Sequence, residues 1–206
     1  MSQKEKVGQL PILFLIRKLR VIIELKQLFG AYNVCARFTP GFLFVCALFF
    51  LKGEQNTLFQ QNSVFFTMLV VMLSSIFGFI SASSSKMLER FIWSKCENPT
   101  IKYFKKEAPK LYEKICQEHG EKEAISHIRA KTRDDAKLFW KNIAYGFFRN
   151  SILLSLATLS LSCSSEYFYL NISIILITIA MTKICSENYA QQALESYKER
   201  RITLFS

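Results

Sequence analysis

The chain has 206 residues, half of them hydrophobic, with 19 Phe, a mean hydropathy of +0.17 and a formal net charge of +11. That apolar content excludes intrinsic disorder, and 6 Cys spread over this length exclude a disulfide framework. Charge at ordinary frequency beside a positive mean hydropathy points instead to apolar and charged blocks kept apart along the chain.

Residues 7–29 read as an amphipathic helix. Arg17, Arg20, Glu24 and Gln27 recur on one face, and Ile12, Leu15, Leu19, Ile22 and Ile23 take much of the other. Such a helix either lies among lipid headgroups or packs on the protein's own polar part. The apolar run at 10–16 lacks a credible cleavage site and is followed by Arg17 and Lys18, so no cleavable signal peptide is expected. Gly30 is expected to end the helix, and Pro40-Gly41 to mark a break near the first crossing.

Four stretches contain almost no charge: 38–51, 64–85, 151–165 and 167–182. The second can span a bilayer alone, because crossing about 30 Å takes about 20 helical residues. The others are shorter and must lengthen into neighbouring sequence or thin the bilayer. Basic residues supply an independent test. Seven Lys or Arg precede the first stretch, one (Lys52) follows it, 15 lie between the second and third, none between the third and fourth, and 4 lie beyond. Four spans therefore place 26 of the 27 on one side, which the retention of positive charge makes the cytoplasm, with both termini there.

The expected fold is an all-α integral membrane protein. Residues 1–37 form a cytosolic or interfacial amphipathic helix, 38–85 a first transmembrane hairpin and 86–150 a cytosolic helical region. A second hairpin follows at 151–183, then a cytosolic tail at 184–206. The outer turns at 52–63 and 162–166 are too short to hold a receptor domain. Within the central region, 86–96 continues the second span, Pro99 breaks it, and a further helix runs through 112–120. Thr132-Arg133-Asp134-Asp135 resembles a capping box, with Thr132 as the cap, ahead of a helix at 136–148. Trp93 and Trp140 each lie about ten residues from a membrane edge, or about 15 Å of helix. They suggest that the second and third spans extend inward as a stalk with aromatic contacts; the interfacial aromatic belt is the alternative for Trp140 and Tyr145.

Arg133-Asp134, Phe139, Asn142 and Tyr145-Gly146-Phe147-Phe148-Arg149-Asn150, with Asn98-Pro99-Thr100, resemble the shared pattern of a small bacterial membrane-protein family without an assigned activity. The pattern covers about a tenth of the chain. The layout is also similar to small multi-span effectors of bacterial antiviral islands, such as the SLATT group and CRISPR-linked membrane accessories. The resemblance implies a membrane-acting role in defence at the inner membrane, and carries over no catalytic residue. From the residues themselves, Arg149 and Asn150 stand at the cytoplasmic mouth of the third span, where Arg can bind phosphate or cap a helix end. Gly146 permits close helix approach.

Cys116, His119, Glu123 and His127 are the nearest approach to a metal cluster, but Gly120 interrupts their helical spacing and no Cys-x-x-Cys accompanies them. They read as polar surface, and neither a metal nor a cofactor is expected. There is no Gly-rich phosphate loop, G-x-S-x-G elbow or His-Glu-x-x-His, so catalysis is not expected either. The cysteines Cys35, Cys46, Cys96, Cys116 and Cys185 read as small apolar packers.

The spans carry more informative polar atoms. Ser74, Gly78 and Ala82 form a small-residue ridge, Ser151, Ser155, Thr158 and Ser162 a hydroxyl stripe, and Asn171, Thr178 and Thr182 another. Helix packing explains these by default; the sharper explanation is that copies assemble in a ring with one stripe on a water-filled lumen. No charge lies inside a span, which argues against a proton-coupled transporter or ion pump. Two functions stand ahead of a third, a membrane enzyme, for which no nucleophile–base pair emerges. One is an oligomeric pore or membrane-disrupting effector gated through its cytosolic helices, in contact with the bilayer and with a cytosolic defence protein or signalling ligand. The other is a non-catalytic scaffold that recruits a cytosolic partner or, less readily, nucleic acid.

Overall fold

A computed structural model of the chain describes residues 30–53, 64–95, 97–162 and 166–202. The interfacial helix expected at 7–29, most of the outer turn at 52–63 and the side chain of Trp93 lie outside the described residues. The described helices are α1 (Ala31–Leu51), α2 (Val64–Lys95), α3 (Pro99–Glu107), α4 (Pro109–His119), α5 (Glu121–Thr132), α6 (Ala136–Leu161) and α7 (Phe168–Ile202). Among the described residues there is no strand, and the protein is all-α.

Among the described residues, three helical segments are long and apolar enough to cross a membrane: Ala31–Leu51, Val64–Ile92 and Phe168–Arg200. Their side chains are arranged as lipid requires. Phe65, Met68, Met72 and Ile80 of α2 and Tyr169, Leu170, Leu176 and Ile177 of α7 are more than half exposed, while Ser74, Ser81, Ala82 and Ser85 of α2 are buried. Large apolar groups face out and small polar ones face in, because packing rather than hydrophobic sequestration holds helices together in a bilayer. The expected third span lies in α6, which is not among the three; it carries Lys137, Lys141 and Arg149 ahead of its apolar half, and its longest seam is with α7.

Pro40-Gly41 does not break the first crossing, contrary to the sequence expectation. The helix runs through both residues: a π-turn at Val34–Phe38 precedes them, and the Ala36 carbonyl, four residues before Pro40, accepts from the Asn150 amide in place of the missing N–H. The Thr39 hydroxyl donates to the Val34 carbonyl at 2.9 Å, beside the backbone N–H of the same residue. Gly41 has a different task. A Cβ there would collide with the backbone of Ser74 and Gly78, and one on Gly78 would collide with the Arg37 carbonyl. The small-residue ridge of α2 is thus the seam on which α1 lies.

The charged helices form a second centre. Asn98 caps α3 by accepting from the Thr100 N–H at 2.9 Å, Ala108-Pro109 separates α3 from α4, and Gly120, at φ +82°, separates α4 from α5 as its position predicts. Phe104, Tyr112, Ile115, Ala124, Ile128 and Leu138 pack there against Ala193, Leu194 and Tyr197 of α7. The last helix therefore runs on from its apolar part to complete this core, a role the sequence reading missed in treating 184–206 as a tail. Thr132 is not the cap of α6. Its hydroxyl donates back to the Ile128 carbonyl at 2.8 Å, and Asp135 is the cap instead, accepting from the Lys137 N–H at 2.8 Å. Burial alone raises the Asp135 pKa, but hydrogen bonds from Ser196, the Lys137 and Leu138 backbones and Gln192 together hold it below its ordinary value. That network ties the start of α6 to α7.

Candidate functional site: a charged joint and its cavity

The Tyr145-Gly146-Phe147-Phe148-Arg149-Asn150 run lies where α1, α2 and α6 meet. Gly146 is buried under α1, with the Tyr32 hydroxyl and Ala36 Cβ about where its own Cβ would press, 3.0 and 3.1 Å away. One turn on, Asn150 is fully buried. Its amide donates to the Ala36 carbonyl of α1 at 2.5 Å, and its own carbonyl accepts from the Ser81 hydroxyl of α2. One residue thereby pins three helices, its side-chain amide holding α1 and its backbone carbonyl holding α2.

Arg149 completes the joint. Its Nη1 donates to Glu89 Oε2 at 2.7 Å, and its Nε and Nη2 reach Asn150 Oδ1 at 3.3 and 3.2 Å. The Tyr145 hydroxyl donates to the other Glu89 oxygen at 2.7 Å, and the guanidinium lies 5.5 Å from the Tyr145 ring centroid. Ser85 donates to the Arg149 carbonyl at 3.3 Å. The Arg149 and Glu89 side chains are 12% and 13% exposed, so the pair is weakly screened. Arg149 is thus already engaged, rather than open to phosphate as its sequence position suggested.

A cavity of about 830 Å³ opens beside this joint. Asn98, Pro99 and Thr100 line one part, Arg133, Phe139 and Asn142 another, and Tyr145 with Arg149 the floor next to Glu89. Most of the residues that carry the family resemblance therefore converge, although they are spread over some fifty positions. Of the remainder, Asp134 reaches Arg200 of α7 at 3.6 Å, and Phe147 and Phe148 meet edge to face at 5.1 Å. The cavity also takes in Tyr32, Lys86, Glu89, Arg90, Arg129 and Tyr189, none of which the sequence reading singled out as a site residue. A lone glutamate between Lys86 and Arg90 was the available signal for Glu89.

The hydroxyl stripes sit elsewhere, within one copy of the chain. Ser74 and Thr158 are buried and donate to the carbonyls of Val70 and Leu154 one turn back; Ser151, Thr178 and Thr182 do the same to Phe147, Ile174 and Thr178. Buried Asn171 of α7 donates to the Ser162 hydroxyl at the end of α6 at 2.7 Å. Ser155 is half-buried on α6. Asn171 and Ser162 thus join α6 to α7, while Ser74 lies under α1.

His119 and His127 stack with ring centroids 3.6 Å apart, and among the described residues no three His, Cys, Asp or Glu side chains are placed to hold a metal ion. Trp140 is 59% exposed and meets Phe139 edge to face. No protein-family model, no curated protein and no solved structure matches the chain.

Proposed function

We infer that the chain is a non-enzymatic bacterial inner-membrane effector with four spans and both termini in the cytoplasm, whose cytosolic helices set the arrangement of its membrane helices. The single observation that supports this most is the Glu89–Arg149 joint with Asn150, which links α1, α2 and α6 at the polar end of the bundle and also floors the cavity between them and the charged helices. A change in that cavity alters the partners of Arg149, and Arg149 is where the first and second apolar hairpins are held together. Basic residues on one side of the spans favour the cytoplasm for this end. The resemblance to antiviral membrane effectors supplies the setting, defence by permeabilising the cell's own membrane as an oligomer.

Potassium efflux from proteoliposomes tests the reading. The wild-type protein is expected to hold a low basal efflux and Arg149→Met to raise it, because the joint keeps the hairpins together. No efflux from either would leave the scaffold. That second reading draws on one observation, the enclosure of the Asn171, Thr158 and Ser162 groups inside a single copy, which leaves those three off any surface shared between copies.

A further inference from the structure

We propose that the cavity beside Glu89 is a binding site for a phosphate-bearing anion. Five cations line it, Lys86 and Arg90 from α2, Arg129 and Arg133 from the α5 end, and Arg149 from α6, against the one carboxylate of Glu89. Glu89 is already committed to Arg149 and Tyr145. Among the described residues, Lys86, Arg90, Arg129 and Arg133 have no carboxylate within ion-pair distance. Lys86 has Arg37, Arg149 and Arg90 around it, with Glu89 as the opposing charge. Like charges gathered on a concave wall repel one another, and a bound anion removes that repulsion while gaining charge-assisted hydrogen bonds.

Two further features fit the same ligand. The first turn of α3, Asn98 to Thr100, faces the cavity, so the positive end of a nine-residue helix adds to the field. Asn142 on the wall is half-buried, and its amide makes no hydrogen bond among the described residues, leaving a donor and an acceptor for a polar group beyond the phosphate. At about 830 Å³ the cavity is far larger than an inorganic ion needs and matches the size of small-molecule sites. Tyr32, Phe139 and Tyr189 provide apolar wall for the rest of such a molecule. The phosphate can come from a soluble phosphorylated metabolite or from an anionic lipid headgroup, since the cavity lies at the polar end of the bundle. The proposal rests on the reading of this end as the controlling part, and names what acts on it.

Binding is measured on the full chain, independently of efflux, so either claim can fail alone. In one arm, protein in phosphatidylcholine nanodiscs is titrated calorimetrically with inorganic pyrophosphate. In the other, protein from mixed phosphatidylcholine and phosphatidylglycerol nanodiscs is weighed by native mass spectrometry to count retained phosphatidylglycerol. The variants are Arg129→Gln with Arg133→Gln, whose side chains are exposed, and separately Lys86→Gln, each checked for an unchanged unfolding temperature. Affinity for one probe is expected to fall about tenfold or more in the double variant, and to weaken as salt is raised. Pyrophosphate binding alone identifies a soluble source, and lipid retention alone a headgroup. Binding of neither probe by the wild type, or equal binding by both variants and wild type, overturns the proposal.

Discussion

Arg149 Nη1 lies 2.7 Å from Glu89 Oε2, with both side chains more than four-fifths buried and the Tyr145 hydroxyl on the second carboxylate oxygen. A pair so enclosed is tolerable only because each charge has the other and hydrogen bonds satisfy what is left.

That balance predicts a strongly non-additive mutant cycle. Arg149→Met leaves Glu89 buried without a counter-charge and is expected to cost about 3 kcal/mol, and Glu89→Met a similar amount. The Glu89→Met, Arg149→Met double variant removes both charges and is expected to recover most of the loss. Unfolding in detergent or nanodiscs, followed by circular dichroism, reads the cycle; additive losses would show that the pair does not act as a unit.

The α1–α2 seam makes a sharper geometric demand. Gly78→Ala places a methyl group against the Arg37 carbonyl, which is backbone and cannot step aside, so a loss of about 1–3 kcal/mol is expected from overpacking. Gly120→Ala meets no neighbour within 4 Å and costs only its extended positive-φ backbone, which essentially glycine alone adopts, about 1–3 kcal/mol, confined to the α4–α5 junction. Hydrogen exchange distinguishes the two. Gly78→Ala should loosen α1 and α2 together, and Gly120→Ala should leave both protected.

The charged helices should lose stability in acid through one imidazole. His127 lies 3.2 Å from the Tyr197 hydroxyl and stacks on His119. Burial first, then the His119 and Lys131 charges, push its pKa below the ordinary 6.5, with Glu118 acting in the opposite sense. The folded protein thus binds fewer protons here than the unfolded chain. Its contribution is whole above about pH 6.5 and declines as pH falls from there towards the lower folded value. His127→Phe should flatten the pH dependence of unfolding over that window. A wild-type profile already flat between pH 5 and 7 would contradict the assignment.

The sequence made some of this legible and hid the rest for physical reasons. Gly146 and Pro99 declare local geometry, a close approach and a break after the second span, and both are found as read; that Asn98 also caps a new helix was not read. The division into apolar and charged helices was equally plain, because charge segregation is a property of composition along the chain. Glu89 was missed because its meaning comes from Arg149, sixty positions away, and no local pattern joins them. Pro40 misled because a proline inside a helix is a break only when the preceding turn cannot widen, and the Val34–Phe38 turn does widen. Thr132 misled because Thr132 and Asp135 both suit a cap, and only contact with Ser196 and Gln192 of α7 decides for Asp135. Ala190, Ala193, Leu194 and Tyr197, spaced three and four apart, did advertise a buried face beyond the last apolar stretch.

The central claim is that the Glu89–Arg149 joint governs how the membrane helices stand relative to one another. Spin labels on non-canonical residues at Met68 of α2 and Leu170 of α7, both exposed and far from the joint, report that arrangement in nanodiscs by pulsed electron resonance. The account predicts one narrow distance distribution in the wild type, and a shifted or broadened one in Arg149→Met. Superimposable distributions from the two proteins, with the joint demonstrably broken, would contradict it.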